Sequence, residues 1–340
     1  AKTTEETTDN QTPAEETEQT TEEVATEEVA TEYDVPVTIY ERTGSDFEKW
    51  CDDYFKESME SDFLNLHFTV VDYEAYGIKK PELNWGEISY ETYAEDLIEI
   101  NNDLEELKAF DYESLSDCEK VYYYNLMLNL EANKVMCEHP DLEWYFQPGS
   151  PINDSLITNM NEFVFRNEQD VKDYLVMLAD MGRYLLDMMT FTEQQAEKGY
   201  FMQDNAALET IEMLDDFAAK VDDNALIVGF DHKMDEMDFD TTAYKEENAK
   251  IIKEKVIPAW NEASKRLEAL LGTCSDDQIA LASFEGGKEY YEALLKYKSS
   301  SNYSVDEIFD MLIDFLDYED NKFYEIVGSY DVACYMEVMG

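Results

Sequence analysis

His67, His139 and His232 are the chain's three histidines, and they are where a search for chemistry starts. None lies in an HExxH run, the helical spacing that turns two imidazoles toward one zinc ion. His232, Asp235 and Glu236 stand three and four residues apart, so a helix would carry them on one face. A chain with 80 acidic residues produces such coincidences freely, and no metal ligand is assigned to them. His67, inside Leu66-His67-Phe68, is expected in the core with a hydrogen-bond partner, and His139, ahead of Pro140, at a helix end. Carboxylate pairs are uninformative for the same reason of abundance. General acid–base work needs two environments that push two pKa values apart, and a sequence does not display environments.

The chain has no nucleophile elbow, P-loop or dinucleotide-binding glycine pattern, and no catalytic residue is assigned. One segment stands apart, Phe284-Glu285-Gly286-Gly287-Lys288-Glu289-Tyr290-Tyr291. Its two glycines free the backbone to turn, and amides at a helix start can meet a carboxylate or carbonyl oxygen. Lys288 is a scarce cation here, and Tyr290 and Tyr291 offer both ring and hydroxyl. Gly286, Gly287, Lys288, Tyr290 and Tyr291 are therefore the candidate substrate-contacting residues. An ordinary helix start with tyrosines packed in the core accounts for the same letters.

The elements that must position this segment read as helices almost throughout. Asn167 can cap a helix in which Val171, Tyr174, Leu175, Leu178, Met181, Leu185, Met188 and Phe191 recur at three- and four-residue spacing. That stripe predicts one helix of roughly thirty residues, stopped at Gly199, and a helix that long needs partners along its length. Helices are also predicted over Phe47–Met59 and along Tyr90–Leu107. A capping box at Ser116–Glu119 opens another, closed by His139-Pro140. Further helices are expected over Asp204–Val221, over Thr241–Leu271 with a kink near Val256 caused by Pro258, over Gly287–Tyr297, and from the Ser304–Glu307 capping box to about Leu316. Residues 140–166 read as a long irregular connection and a possible sub-boundary. Val35–Tyr40 and Leu226–Phe230 are the two strand candidates, both short. The expected fold is all-α, a multi-helix array of long amphipathic helices with few or no strands.

Of the 340 residues, 80 are acidic and 25 basic, a formal net charge of −55. Such a surface repels phosphate backbones and anionic headgroups, which excludes nucleic acid as a partner and attracts cations. Residues 1–34 form a Thr/Glu-rich, self-repelling tract, expected to stay disordered as a tether ahead of a helical domain over 35–340. Five scattered cysteines without a CxxC pair give neither a disulfide framework nor a zinc ribbon, and Cys118 and Cys137 are expected to pack as small hydrophobes. No apolar run is long enough to cross a bilayer. Tracts like residues 1–34 commonly tether a bacterial surface lipoprotein, with an ordinary disordered tail as the alternative, and membrane attachment is expected only through such a lipid anchor. Val332, Ala333, Tyr335, Met336, Val338 and Met339 crowd the last residues, an apolar surface expected to be covered.

Several stretches together resemble a bacterial family known as domain of unknown function 885. They are Phe47–Leu66; Asn161–Arg166 with Asp170-Val171 and Tyr174-Leu175; Glu197–Asp204; Asn224–Ile227; Val256–Trp260; and Gly287–Tyr291, in the family's order. The family is similar to helical zinc metallopeptidases, and many members are secreted or lipid-anchored. Its presumed zinc helix carries a His-Glu-x-x-Pro-Gly-His pattern in the C-terminal half, which this chain lacks. The resemblance implies the N-terminal, cleft-forming half of an extracytoplasmic, lipid-anchored zinc-metallopeptidase-like protein at the bacterial cell surface. No cofactor is expected in this chain itself, and zinc is implied for the longer protein. The implied partners are a C-terminal catalytic half, or another chain, packing on 332–339, and peptides as ligands. A non-catalytic surface lipoprotein that binds peptides or a partner protein is the alternative.

Overall fold

Capping serine and asparagine side chains open most of the longer helices, and apolar stripes decide how those helices stack. The computed structural model describes residues 42–149, 155–274 and 280–329, and none of them lies in a β-strand. In chain order the helices are α1 (Asp46–Ser61), α2 (Phe63–Thr69), α3 (Tyr90–Lys108), α4 (Asp117–Glu138), α5 (Ile157–Glu162) and α6 (Glu168–Glu197). They continue with α7 (Asp204–Ala219), α8 (Ala225–Asp235), α9 (Thr242–Ile251), α10 (Ile257–Glu268), α11 (Gly287–Ser299) and α12 (Val305–Ser329). The tail 1–34, the strand candidate Val35–Tyr40 and the apolar stretch 332–339 lie outside the described residues.

Helix α6 is the axis of the core. Asn167 caps it, its Oδ1 accepting from the amides of Gln169 at 2.8 Å and Asp170 at 3.1 Å. All eight residues of its expected stripe are buried, each contributing about 2 kcal/mol of gross burial free energy. Helices α9 and α10, joined by the wide π-type turn Ile252–Val256, pack against this face, and α7 packs on α10. That turn is the kink expected ahead of Pro258, whose missing N–H interrupts the regular ladder. Gly182 permits the close approach: a Cβ there would lie 2.9 Å from the Lys255 carbonyl oxygen. Trp260 of α10 is fully buried, its ring 4.9 Å from that of Phe217 in α7.

On the other flank, one carboxylate serves two helix starts. Glu119 Oε2 accepts from the amide of Ser116 at 2.8 Å, and Ser45, which caps α1, donates to Glu119 Oε1 at 2.5 Å. These hydrogen bonds pull its pKa down to about 2. The loop from α2 to α3 is strapped along α6. Lys80 reaches the buried Asp173 at 2.5 Å, and the indole of Trp85 donates to the Met177 carbonyl at 2.9 Å.

Four expectations need correction. Residues 226–230 are helical within α8: Asn224 accepts from the Leu226 amide at 3.0 Å, and Leu226, Ile227, Phe230 and Met234 bury one helical face. An apolar run of five residues cannot separate strand from helix, and the cap decided it. The connection 140–166 is only partly irregular, since it contains a short 3-10 turn at Pro140–Leu142 and α5. Helix α12 runs to Ser329 instead of stopping near Leu316, because no helix breaker intervenes. Cys118 is exposed on the first turn of α4, whereas Cys137 is half-buried.

His67 is buried, with its ring stacked at 3.8 Å on Phe163 and Arg166 contacting Nδ1 at 3.4 Å. Its Nε2 has no partner among the described residues. Burial, then the Arg166 charge, lowers its pKa to about 4 from a usual value near 6.5. The unfolded chain therefore binds more protons between those values, so stability falls as pH drops below 6.5. His67→Phe should lose about 2 kcal/mol less than the natural chain between pH 7 and pH 5 in denaturant titrations. Equal losses in the two proteins would contradict this.

Candidate functional site

A cavity of about 580 Å³ opens between α3, α4 and α11, with Tyr184 of α6 contributing to its wall. Its size falls within the range of small-ligand sites. Helix α3 supplies an acidic row, because Asp96, Glu99 and Asp103 are three and four residues apart and share one face. Glu87, from the strapped loop, and Glu143, just beyond the Pro140–Leu142 turn, bring the carboxylates to five, against Lys298 as the single lining cation. The other polar contribution is tyrosine: Tyr93, Tyr145, Tyr184 and Tyr290 line the inner part, Tyr54 and Tyr297 the rest.

The floor is a hydrogen-bonded chain. Tyr93 donates to Glu143 Oε2 at 2.7 Å, and the hydroxyls of Tyr93 and Tyr145 are 2.5 Å apart. While the Tyr93 proton is given to the carboxylate, Tyr145 must donate to Tyr93. The segment carrying Glu143 is fixed from behind by the buried Gln195 of α6, whose amide donates to the carbonyls of Glu143 at 2.7 Å and Pro140 at 3.2 Å. Nearby, Lys198 lies 3.0 Å from Asp141 and 3.6 Å above the Tyr90 ring, while the Tyr90 hydroxyl donates to Asp141. Crowding and burial work against ionisation. Asp103 is pushed up to about 6 by burial, then by Glu99, Glu106 and Glu57. Burial and then Glu95 raise Asp96; burial raises Glu143 against the opposing Tyr93 hydrogen bond. The Cys137 thiol, raised to about 11 by burial and then by Asp96, Glu143 and Glu138, is held in its unreactive protonated form.

The glycine segment forms the start of α11, whose Tyr290, Leu294, Tyr297 and Lys298 make one side of this cavity. Gly286 has φ +76° and lies against His139: a Cβ there would come within 2.6 Å of the imidazole. Gly287 allows a closer approach still, since its Cβ would stand 1.8 Å from the Leu281 carbonyl oxygen. Phe284 is fixed between Trp144, edge-on at 5.4 Å, and Tyr200, stacked at 5.4 Å, so the Glu197–Asp204 and Gly287–Tyr291 stretches meet here. Of the expected contact residues, Tyr290 is buried and lines the cavity. Lys288 and Tyr291 are exposed and do not line it; Gly286 and Gly287 shape the turn. Glu143, Tyr93 and the α3 acids were missed from sequence. The helical spacing of the acids was a usable signal, and Glu143 gave none.

The histidines do not converge on a metal. His67 is in the core and His139 ends α4 with Nε2 3.7 Å from Glu289. His232 is exposed, 3.9 Å from Glu236, while Asp235 pairs with Lys245 at 2.6 Å. Among the described residues, no three His, Cys, Asp or Glu side chains are grouped so as to hold a metal ion. They do not fit a zinc centre, and no chemical step is routed through one.

The sequence matches the family of bacterial proteins of unknown function DUF885 over residues 73–333. The fold is similar to the crystal structure of a candidate lipoprotein from Colwellia psychrerythraea, with a TM-score of 0.65 at 16% identity. The match covers 83% of this chain and 51% of that one, so the chain spans about half the length of its structural neighbour. No curated protein matches.

Proposed function

This chain belongs to the bacterial DUF885 family, and on that premise we propose that it is the N-terminal, substrate-receiving part of an extracytoplasmic zinc-metallopeptidase-like protein held at the cell surface by a lipid anchor. The observation that carries this reading is the acid- and tyrosine-lined cavity between α3, α4 and α11, large enough for one or two residues of a peptide. Two further observations support it. The structural neighbour is a candidate lipoprotein about twice the length of the match. Helix α12 also leaves Phe309, Leu312, Phe315, Leu316 and Phe323 exposed, an apolar stripe that a further part of a longer protein would cover. No helix among the described residues is long and apolar enough to cross a membrane.

In this reading the chain binds and orients a peptide, and the water-activating metal belongs to the partner half. The test compares residues 1–340 with the longer gene product. The longer protein should hydrolyse peptides in a reaction that a zinc chelator abolishes, and residues 1–340 should bind the same peptides without cleaving them. Glu143→Gln in the longer protein should raise KM about ten-fold and leave kcat nearly unchanged, the signature of lost uniform binding. Peptide binding with no hydrolysis by the longer protein would favour the non-catalytic surface lipoprotein instead. Chelator-sensitive cleavage by residues 1–340 alone would overturn the proposal.

A further inference from the structure

The cavity floor contains a polar group that the fold does not use. Tyr290 is 5% exposed and lines the cavity, yet its hydroxyl has no hydrogen-bond partner among the described residues. A hydroxyl on the cavity wall without a protein partner leaves its donor and its acceptor to whatever the cavity holds. Beside it, Glu143 has one oxygen engaged by Tyr93, and no cation among the described residues forms an ion pair with it. Five lining carboxylates face one lysine, a field that a neutral or anionic ligand would leave uncompensated.

Resting on the peptide-receiving reading above, we infer that this floor is a receptor for an alkylammonium group, either the free amino terminus of a peptide or the side-chain amine of a lysyl residue. Glu143 accepts from the ammonium, the Tyr290 hydroxyl accepts a second of its three protons, and the tyrosine faces supply the cation-π surroundings that suit an organic cation. Asp96 and Asp103, nearer the mouth, contribute field. A bare divalent ion is the poorer fit, since it needs six to eight oxygens at about 2.3–2.6 Å and the carboxylates here are spread along α3 and separated by rings. Because Asp103 titrates near pH 6, affinity should weaken about ten-fold as pH falls from 7.5 to 5.

The experiment is titration calorimetry of the 340-residue chain with four probes: tetra-alanine, N-acetyl-tetra-alanine, N-acetyl-lysine methylamide and N-acetyl-norleucine methylamide. An amine-bearing probe should bind at least ten-fold tighter than its amine-free counterpart, and which of the two does so identifies the source of the amine. Tyr290→Phe should weaken that probe about three-fold and Glu143→Gln about ten-fold or more. Asp103→Asn, nearer the mouth, is a second charge variant if Glu143→Gln does not fold. If the blocked peptide binds as well as the free one, the ammonium inference is overturned while the peptide-receiving reading stands. If lysyl amine binds through Glu143 but neither alanine peptide binds, the inference stands and the amino-terminal arm is excluded. Binding by none of the four overturns the inference outright.

Discussion

Gly287→Ala is expected to destabilise the chain by about 3 kcal/mol and to remove ligand binding at the cavity with it. The added methyl would stand 1.8 Å from the Leu281 carbonyl oxygen and 2.7 Å from its carbon, contacts to backbone that no side-chain rotation relieves. The turn Leu281–Ser283 would have to move, and it is not free to do so. Phe284 donates its amide to Leu281 at 3.1 Å, Gly287 donates to Phe284 at 3.1 Å, and the Phe284 ring is held between Trp144 and Tyr200. Displacing that turn shifts the first turn of α11, and Tyr290 rides on it. Thermal and denaturant unfolding read the first effect, calorimetry with the amine probes the second. Lys288→Ala, one residue on at an exposed position, should change stability by less than about 0.5 kcal/mol. If Gly287→Ala were as stable as the natural chain, the turn would be free to move and the steric argument would fail.

These neighbouring residues also show what a sequence can and cannot announce. The paired glycines marked the place where the chain turns tightly, and the structure gives each a steric reason. The tyrosines after them were ambiguous: Tyr290 faces the cavity and Tyr291 solvent, a choice set by where α4 happens to lie. The long helix was legible because its stripe repeats eight times, and repetition averages out local ambiguity. The five-residue run 226–230 had no such redundancy, and the cap from Asn224 fixed it as helix. Glu143 was invisible for a different reason. It lies in a non-periodic connection, and its environment is made by Tyr93 fifty residues earlier and by Gln195, which grips its carbonyl from α6. Family resemblance located these stretches in order, without saying which of their side chains meet.

Trp260→Ala should carry the largest stability cost, about 4 kcal/mol, and should leave the cavity intact. Trp260 is fully buried between α10, α7 and α6, against Phe217 and within the same cluster as Leu185 and Leu267. Truncation leaves a cavity that three long helices, pinned elsewhere along their lengths, cannot collapse to fill. Its indole N–H has no partner among the described residues, so Trp260→Phe forfeits no hydrogen bond and should cost only about 1.5 kcal/mol. Urea titrations should show both as shifts in midpoint at constant slope, since the surface exposed on unfolding is unchanged. The informative comparison is with Gly287→Ala. Trp260 lies in the α6–α7–α10 core, and the amine-binding floor is built from α3, the Glu143 segment and α11. Below its melting transition, Trp260→Ala should therefore bind the amine probe within about two-fold of the natural chain, because sites without shared partners respond independently. Loss of binding in a Trp260→Ala protein that is still folded would mean the core sets the cavity's shape through α6 and Tyr184, and the separation of scaffold from floor would fail.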